Sequence, residues 1–139
     1  MKKYLIVYLA MIIIMIMLDF IWLSIVARPL YQHGIGHLMA EQPNLVFAAL
    51  FYAVYVSGLI VYALKPHVSI RSVGKTVWSA ALYGFFIYAS YELTNLALLK
   101  NWPISLALID LVWGVLISCL TALTGKVLLN KISFNQLPT

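Results

Sequence analysis

The sequence predicts an all-α integral membrane protein, a four-transmembrane-helix bundle forming a single domain over residues 1–139. Three observations predict it. The chain is 64% hydrophobic and 9% charged, whereas a soluble domain carries roughly 25% charged residues. Its apolar residues gather into four runs, each long enough for a bilayer core of ~30 Å. Its basic residues sit at the breaks and ends of those runs. Lys2, Lys3, Lys65, Arg71, Lys75, Lys126 and Lys131 fall on one side, and only Arg28 and Lys100 on the other. By the positive-inside rule, both termini are then cytoplasmic, and the connections over 28–43 and 100–103 face outward. The net charge of +5 is accordingly a topology signal, and nucleic acid is not an implied partner.

The first segment runs from about Tyr4 to Ala27. Lys2, Lys3 and the apolar run invite a signal-peptide reading. The run exceeds an h-region of roughly 7–15 residues, however, and lacks a small-x-small cleavage point, so a retained helix is expected. Residues 28–43 form the longest polar connection, broken by Pro29, Gly34, Gly36 and Pro43. A short interfacial helix or re-entrant turn fits there, because Leu30, Tyr31, Ile35, Leu38 and Met39 are apolar. The second segment runs from about Asn44 to Leu64. Lys65-Pro66 ends it, since the residue before proline disfavours helical geometry. A basic loop over 65–75 leads to the third segment, about 73–99. Lys100-Asn101-Trp102-Pro103 is a tight turn, and the fourth segment follows over about 104–129 with Pro103 at its start. The tail from Lys131 is expected to fray.

The chain has only four acidic residues, and Asp19, Glu92 and Asp110 lie inside apolar runs. A carboxylate there costs about 2.5–3.5 kcal/mol by insertion scales, which marks it as a functional-site candidate. Their depths agree. Asp19 is ~24 Å beyond Lys3, Glu92 ~25 Å beyond Lys75, and Asp110 ~10 Å in from Pro103, at 1.5 Å per residue. All three fall in the outer third of the bilayer, and one pocket with the acids within roughly 10 Å of each other is expected. Such a group cannot be fully ionised in low dielectric, so it should share a proton and titrate as a set.

Helical spacing supplies the neighbours. Tyr88, Glu92 and Asn95 share one face of the third segment. Asp110, Gly114, Ser118 and Ala122 form a ridge of small residues on the fourth, a pattern that permits close helix approach. Tyr52 and Tyr55 begin near the same depth and can donate to carboxylates. Asp19-x-x-Trp22 and Asp110-x-x-Trp113 repeat one pattern, which would place an indole N–H beside each acid on its own helix. Other residues have plainer readings. Tyrosine stripes commonly pack or form an interfacial belt, and Trp102 reads as belt. His67 reads as a solvated loop residue, and Gly58 and Gly84 as close-packing points. His33 and His37 are spaced for one helix face, but Gly34 and Gly36 interrupt that helix, so no metal site is assigned. The lone Cys119 excludes an intramolecular disulfide and reads as a small packing residue. The absence of cysteine pairs disfavours four-helix thiol oxidoreductases.

The runs LDFIWL, FYAVYVSGL, YASYELTNLALLKNWP and DLVWG resemble a family of small bacterial membrane proteins, domain of unknown function 2177. The resemblance covers nearly the whole chain. It implies a four-helix inner-membrane protein and no particular activity. Glu92 departs from the aspartate expected of that family.

Three functions fit the residues. The first is binding or transport of a small cationic or amphiphilic solute in an outward-facing pocket, with a carboxyl exchanging a proton. Small multidrug transporters also have four helices, but theirs rests mainly on one acid in the first helix. The charge bias here argues against a dual-topology dimer of that kind. The second is a membrane enzyme acting on a lipid or lipid-linked substrate, with the three acids as acid, base or metal ligands. No nucleophile, phosphate loop or metal motif supports it. The third is a structural or accessory subunit. The first is adopted, with enzyme status and cofactor left open. Asp19, Glu92, Asp110, Asn95, Tyr52, Tyr55, Tyr88, Trp22 and Trp113 are its candidate ligand-binding and proton-exchanging residues. The implied partners are the lipid bilayer and a small solute or lipid, and a homo-oligomer is allowed.

Overall fold

A computed structural model describes residues 2–134. Among them the chain forms four long helices, and every connection between them is short. We label these α1 (Lys2–Leu38), α2 (Leu45–His67), α3 (Gly74–Leu98) and α4 (Ile104–Phe134). Three of them, α1, α2 and α4, are long and apolar enough to cross a membrane by length and composition. With 25 residues, α3 has the length of a span at ~37 Å. It is less apolar because it carries Thr76, Tyr83, Tyr88, Glu92 and Asn95.

The largest departure from expectation is at residues 28–43, which are mostly helix. Helix α1 continues through Pro29 to Leu38 by inserting a π-helical turn at Trp22–Ala27 before resuming as Arg28–Ile35. Proline has no N–H for the carbonyl four residues back, and a wider turn lets the backbone re-pair around it. Helix α2 repeats the device. Its π-helical turn, Ile60–Leu64, directly precedes Lys65-Pro66, and one 3₁₀ turn ends the helix at His67. At the other end α4 runs past the expected limit near Leu129 to Phe134. The remainder of the predicted frayed tail lies outside the described residues.

Local chemistry sets the other boundaries. Asn44 caps α2, its side-chain oxygen accepting from the N–H groups of Val46 at 3.0 Å and Phe47 at 3.3 Å. Asn101 takes φ of 60°. This left-handed geometry, which asparagine tolerates better than most residues, closes the turn between α3 and α4.

The helices form a ring in which each packs against its neighbours in sequence, and α4 returns to α1. Lipid chains are as apolar as leucine, so close packing and hydrogen bonds must hold the ring together. Helices α3 and α4 meet most closely. A methyl group on Gly84 would lie 2.4 Å from the Gly114 carbonyl, and one on Gly114 would lie 2.2 Å from the Tyr88 ring. The small-residue ridge of α4 therefore packs on α3. Inside the ring, Val7, Met11 and Met15 meet Val56, Leu59, Ala63 and Ile117. Outside it, Leu9, Ile13, Phe20, Phe47, Val54, Phe86 and Val112 are exposed, as suits a lipid-facing surface.

Lys126 and His67 stabilise the Lys65–His67 end of α2. Lys126 is fully buried, and its Nζ donates to the carbonyls of His67 at 2.8 Å and Val68 at 3.5 Å. It thereby ties α4 to the end of α2, where the His67 carbonyl also accepts from the Ile70 N–H at 3.1 Å. His67 is not simply a solvated loop residue, because its Nε2 bonds Ser79 Oγ at 2.9 Å. Cys119 is half-buried, with its thiol 3.7 Å from the Val77 carbonyl.

Candidate functional site

Each of the three membrane acids is buried. Asp19 is 7% exposed, Glu92 3% and Asp110 6%. Helix α3 presents Glu92 to Asp110 on α4, and the two side chains lie within hydrogen-bonding reach. One Glu92 oxygen accepts from the Trp102 indole N–H at 2.8 Å, and the other, Oε1, has no protein donor. Two carboxylates cannot bond each other without a proton, so a Glu92–Asp110 hydrogen bond would need a proton on one of the two.

Asp110 accepts a hydrogen bond from Tyr31, whose hydroxyl sits astride both carboxylate oxygens. Tyr31 belongs to the Arg28–Ile35 section of α1, beyond the π-helical turn. The same section sets Gly34 against Pro103 and Leu106. The outer end of α1 thus packs on the start of α4, where Tyr31 reaches Asp110. In the sequence Tyr31 reads only as an apolar residue of a connection, and Trp102 only as belt. Both instead hold carboxylates. Trp102 could have been flagged by the tightness of its turn, which leaves the indole little choice but the end of α3. For Tyr31 the usable signal is its amphipathic surroundings.

Asp19 has different partners. It accepts from the Trp113 indole N–H at 2.9 Å, and the Tyr52 hydroxyl lies within reach. The indoles therefore do not serve the acids on their own helices. Antiparallel packing brings Trp113 level with Asp19, and Trp22 stacks flat on Trp113 with ring centroids 4.4 Å apart. The Trp22 Nε1 has no partner. Asp19 is close enough to Asp110 to interact electrostatically, so the acids form a contacting pair with a third member beside it.

A cavity of about 550 Å³ reaches Asp110. Tyr31, Phe51, Ile87, Tyr88, Tyr91 and Asp110 line it. Of the expected wall residues, Asp110 and Tyr88 are present, while Tyr52 lies with Asp19. Tyr55 is not in the cavity wall and shares a 2.6 Å hydrogen bond with Ser118 Oγ. Asn95 follows Glu92 on the same face, and its Nδ2 is buried without a partner. His33 and His37 are both exposed, and no group of three metal-ligating side chains occurs among the described residues.

The site places the Asp110 carboxyl in the wall of the cavity. Aromatic rings form much of the wall around that group, and the described partners of Glu92 and Asp110 include no basic side chain.

A family model described as a predicted membrane protein (DUF2177) matches residues 4–127. No curated protein and no solved structure matches the chain.

Proposed function

The chain belongs to the DUF2177 family of predicted membrane proteins, and we propose that it binds a small organic cation, including cationic amphiphiles, in exchange for a proton. The observation that carries this reading is an aromatic cavity with Asp110 in its wall and the buried Glu92 behind it as partner. With one proton the pair carries a single negative charge. When that proton leaves, a monovalent cation enters and the charge of the occupied site is unchanged. Tyr31, Phe51, Tyr88 and Tyr91 suit such a ligand, because a cation is drawn to the face of an aromatic ring. Tyr31 and Trp102 hold the carboxylates in place while the site is empty.

We place both termini on the cytoplasmic side of the inner membrane, from the division of lysine and arginine. The cavity then opens outward. The Tyr88 ring on Gly114 and the Tyr55–Ser118 hydrogen bond close the path inward. Transport would require α3 and α4 to part at these points.

The test uses full-length protein in lipid nanodiscs with tetraphenylphosphonium as probe, measuring ligand bound and protons released. Wild type should release about one proton per cation, and Asp110→Asn should weaken binding at least tenfold or so. Equal binding by Asp110→Asn, or binding without proton release, would refute the reading.

A further inference from the structure

We infer that a second, separate site on the outer part of α1 binds a zwitterionic aminophospholipid. On the orientation proposed above, Arg28 is one of two basic residues on the outer side, against seven inside. A lone arginine placed against the charge bias of the chain calls for a local reason. The structure places Arg28 in a groove of about 710 Å³, with Phe20, Leu23, Ser24, Gln32 and Glu41 among its walls.

The groove is graded. Phe20, Ser24, Arg28 and Gln32 recur every four residues along α1 and line it together. Its end toward the membrane centre is apolar, at Phe20 and Leu23. Its polar groups, Ser24, Arg28, Gln32 and Glu41, all lie farther out, among Tyr31, Met39, Ala40 and Pro43. Arg28 and Glu41 are both exposed. Among the described residues neither has a hydrogen-bond or ion-pair partner. One unpaired cation and one unpaired anion thus stand in a single groove above an apolar floor.

That pattern matches a phosphate joined by a short linker to a primary ammonium, with an acyl chain below. The arginine fork takes two phosphate oxygens at once, and Gln32 and Ser24 add neutral donors. Glu41 takes the ammonium. A purely anionic lipid would satisfy Arg28 and be repelled by Glu41. The chain lies along Leu23 and Phe20. Tyr31 walls both this groove and the carboxylate cavity, but none of the lipid-binding groups proposed here belongs to the Glu92–Asp110 pair.

The experiment is native mass spectrometry of the full chain in mild detergent, titrated with phosphatidylethanolamine or phosphatidylglycerol. Wild type should retain phosphatidylethanolamine in preference to phosphatidylglycerol. Arg28→Gln should weaken retention of both by about fivefold to tenfold. Glu41→Gln should weaken phosphatidylethanolamine and improve phosphatidylglycerol. Lys100→Gln, the other outer-side charge, and Asp110→Asn should leave retention unchanged. The Asp110 variant separates this site from the cation pocket, since it should weaken binding only at the latter. Equal retention by wild type and Arg28→Gln overturns the site. A preference for phosphatidylglycerol that Glu41→Gln does not alter overturns the zwitterionic assignment. Glu41 lies outside the helices, so its variant gives an independent reading if Arg28→Gln proves unstable.

Discussion

Trp113 donates its indole N–H to Asp19 across the α1–α4 contact at 2.9 Å, although its own helix carries Asp110 three residues earlier. Antiparallel packing decides the pairing, and Trp22 stacked on Trp113 keeps the donor in place. Removing that donor leaves a buried carboxyl with one partner fewer. Trp113→Phe, which retains an aromatic ring for the stack, should lower stability by about 1–3 kcal/mol. The loss should shrink in an Asp19→Leu background, where no carboxyl needs the donor. A double-mutant cycle by thermal unfolding in detergent measures the coupling; strictly additive effects would show that the contact contributes nothing.

Tyr31 guards Asp110, so Tyr31→Phe should leave the fold intact while exposing the carboxylate pair. A hydrophobic carbodiimide reacts with protonated carboxyls. Its rate of attachment to Glu92 and Asp110, followed by peptide mass spectrometry at neutral pH, should rise several-fold in the variant. An unchanged rate would mean that Tyr31 does not limit access.

The proton between Glu92 and Asp110 should be visible directly. At neutral pH the wild-type infrared spectrum should contain the carbonyl stretch of a protonated carboxylic acid. Glu92→Gln should remove it, because the amide N–H donates to Asp110 and no shared proton is needed. Persistence of the band in Glu92→Gln would place the proton elsewhere.

Close packing of α3 on α4 predicts a contrast between two glycines. A methyl group on Gly114 would overlap the Tyr88 ring, whereas one on Gly36 would meet nothing within 4 Å. Gly114→Ala should destabilise by about 1–3 kcal/mol, the usual range for overpacking. Gly36→Ala should be neutral. Thermal melts of the two variants in the same detergent make the comparison, and equal melting temperatures would count against the packing.

Membrane orientation has its own test. Reporters fused at either end should be active only when they function in the cytoplasm, and a reporter placed after Glu41 should behave as external. External activity at either terminus would invert the assignment made from the basic residues.

Much of the architecture is already present in residue type and order. Hydrocarbon cannot hydrogen-bond an exposed peptide group, so every long apolar run has to be helical, and its length follows from bilayer thickness. The helical class and the membrane setting follow from that alone. The burial of Asp19, Glu92 and Asp110 follows from the cost of setting a carboxylate in lipid. Boundaries such as Asn44 and the turn at Asn101 depend on side chains hydrogen-bonding, or tolerating φ, within a few residues of themselves.

Side-chain partners are another matter, because they depend on how each helix is rotated and shifted against its neighbour. A tyrosine ring reaches only a few ångströms, so a small change in register exchanges one partner for another. Sequence spacing therefore assigned an indole to the acid on its own helix, whereas packing gave Trp113 to Asp19 and Trp102 to Glu92. Pro29 looked like the end of α1. A π-helical turn absorbed the lost backbone bond, and the helix continued far enough for Tyr31 to meet Asp110. Periodicity gives each residue's face on its own helix, but only the assembled bundle decides what that face touches.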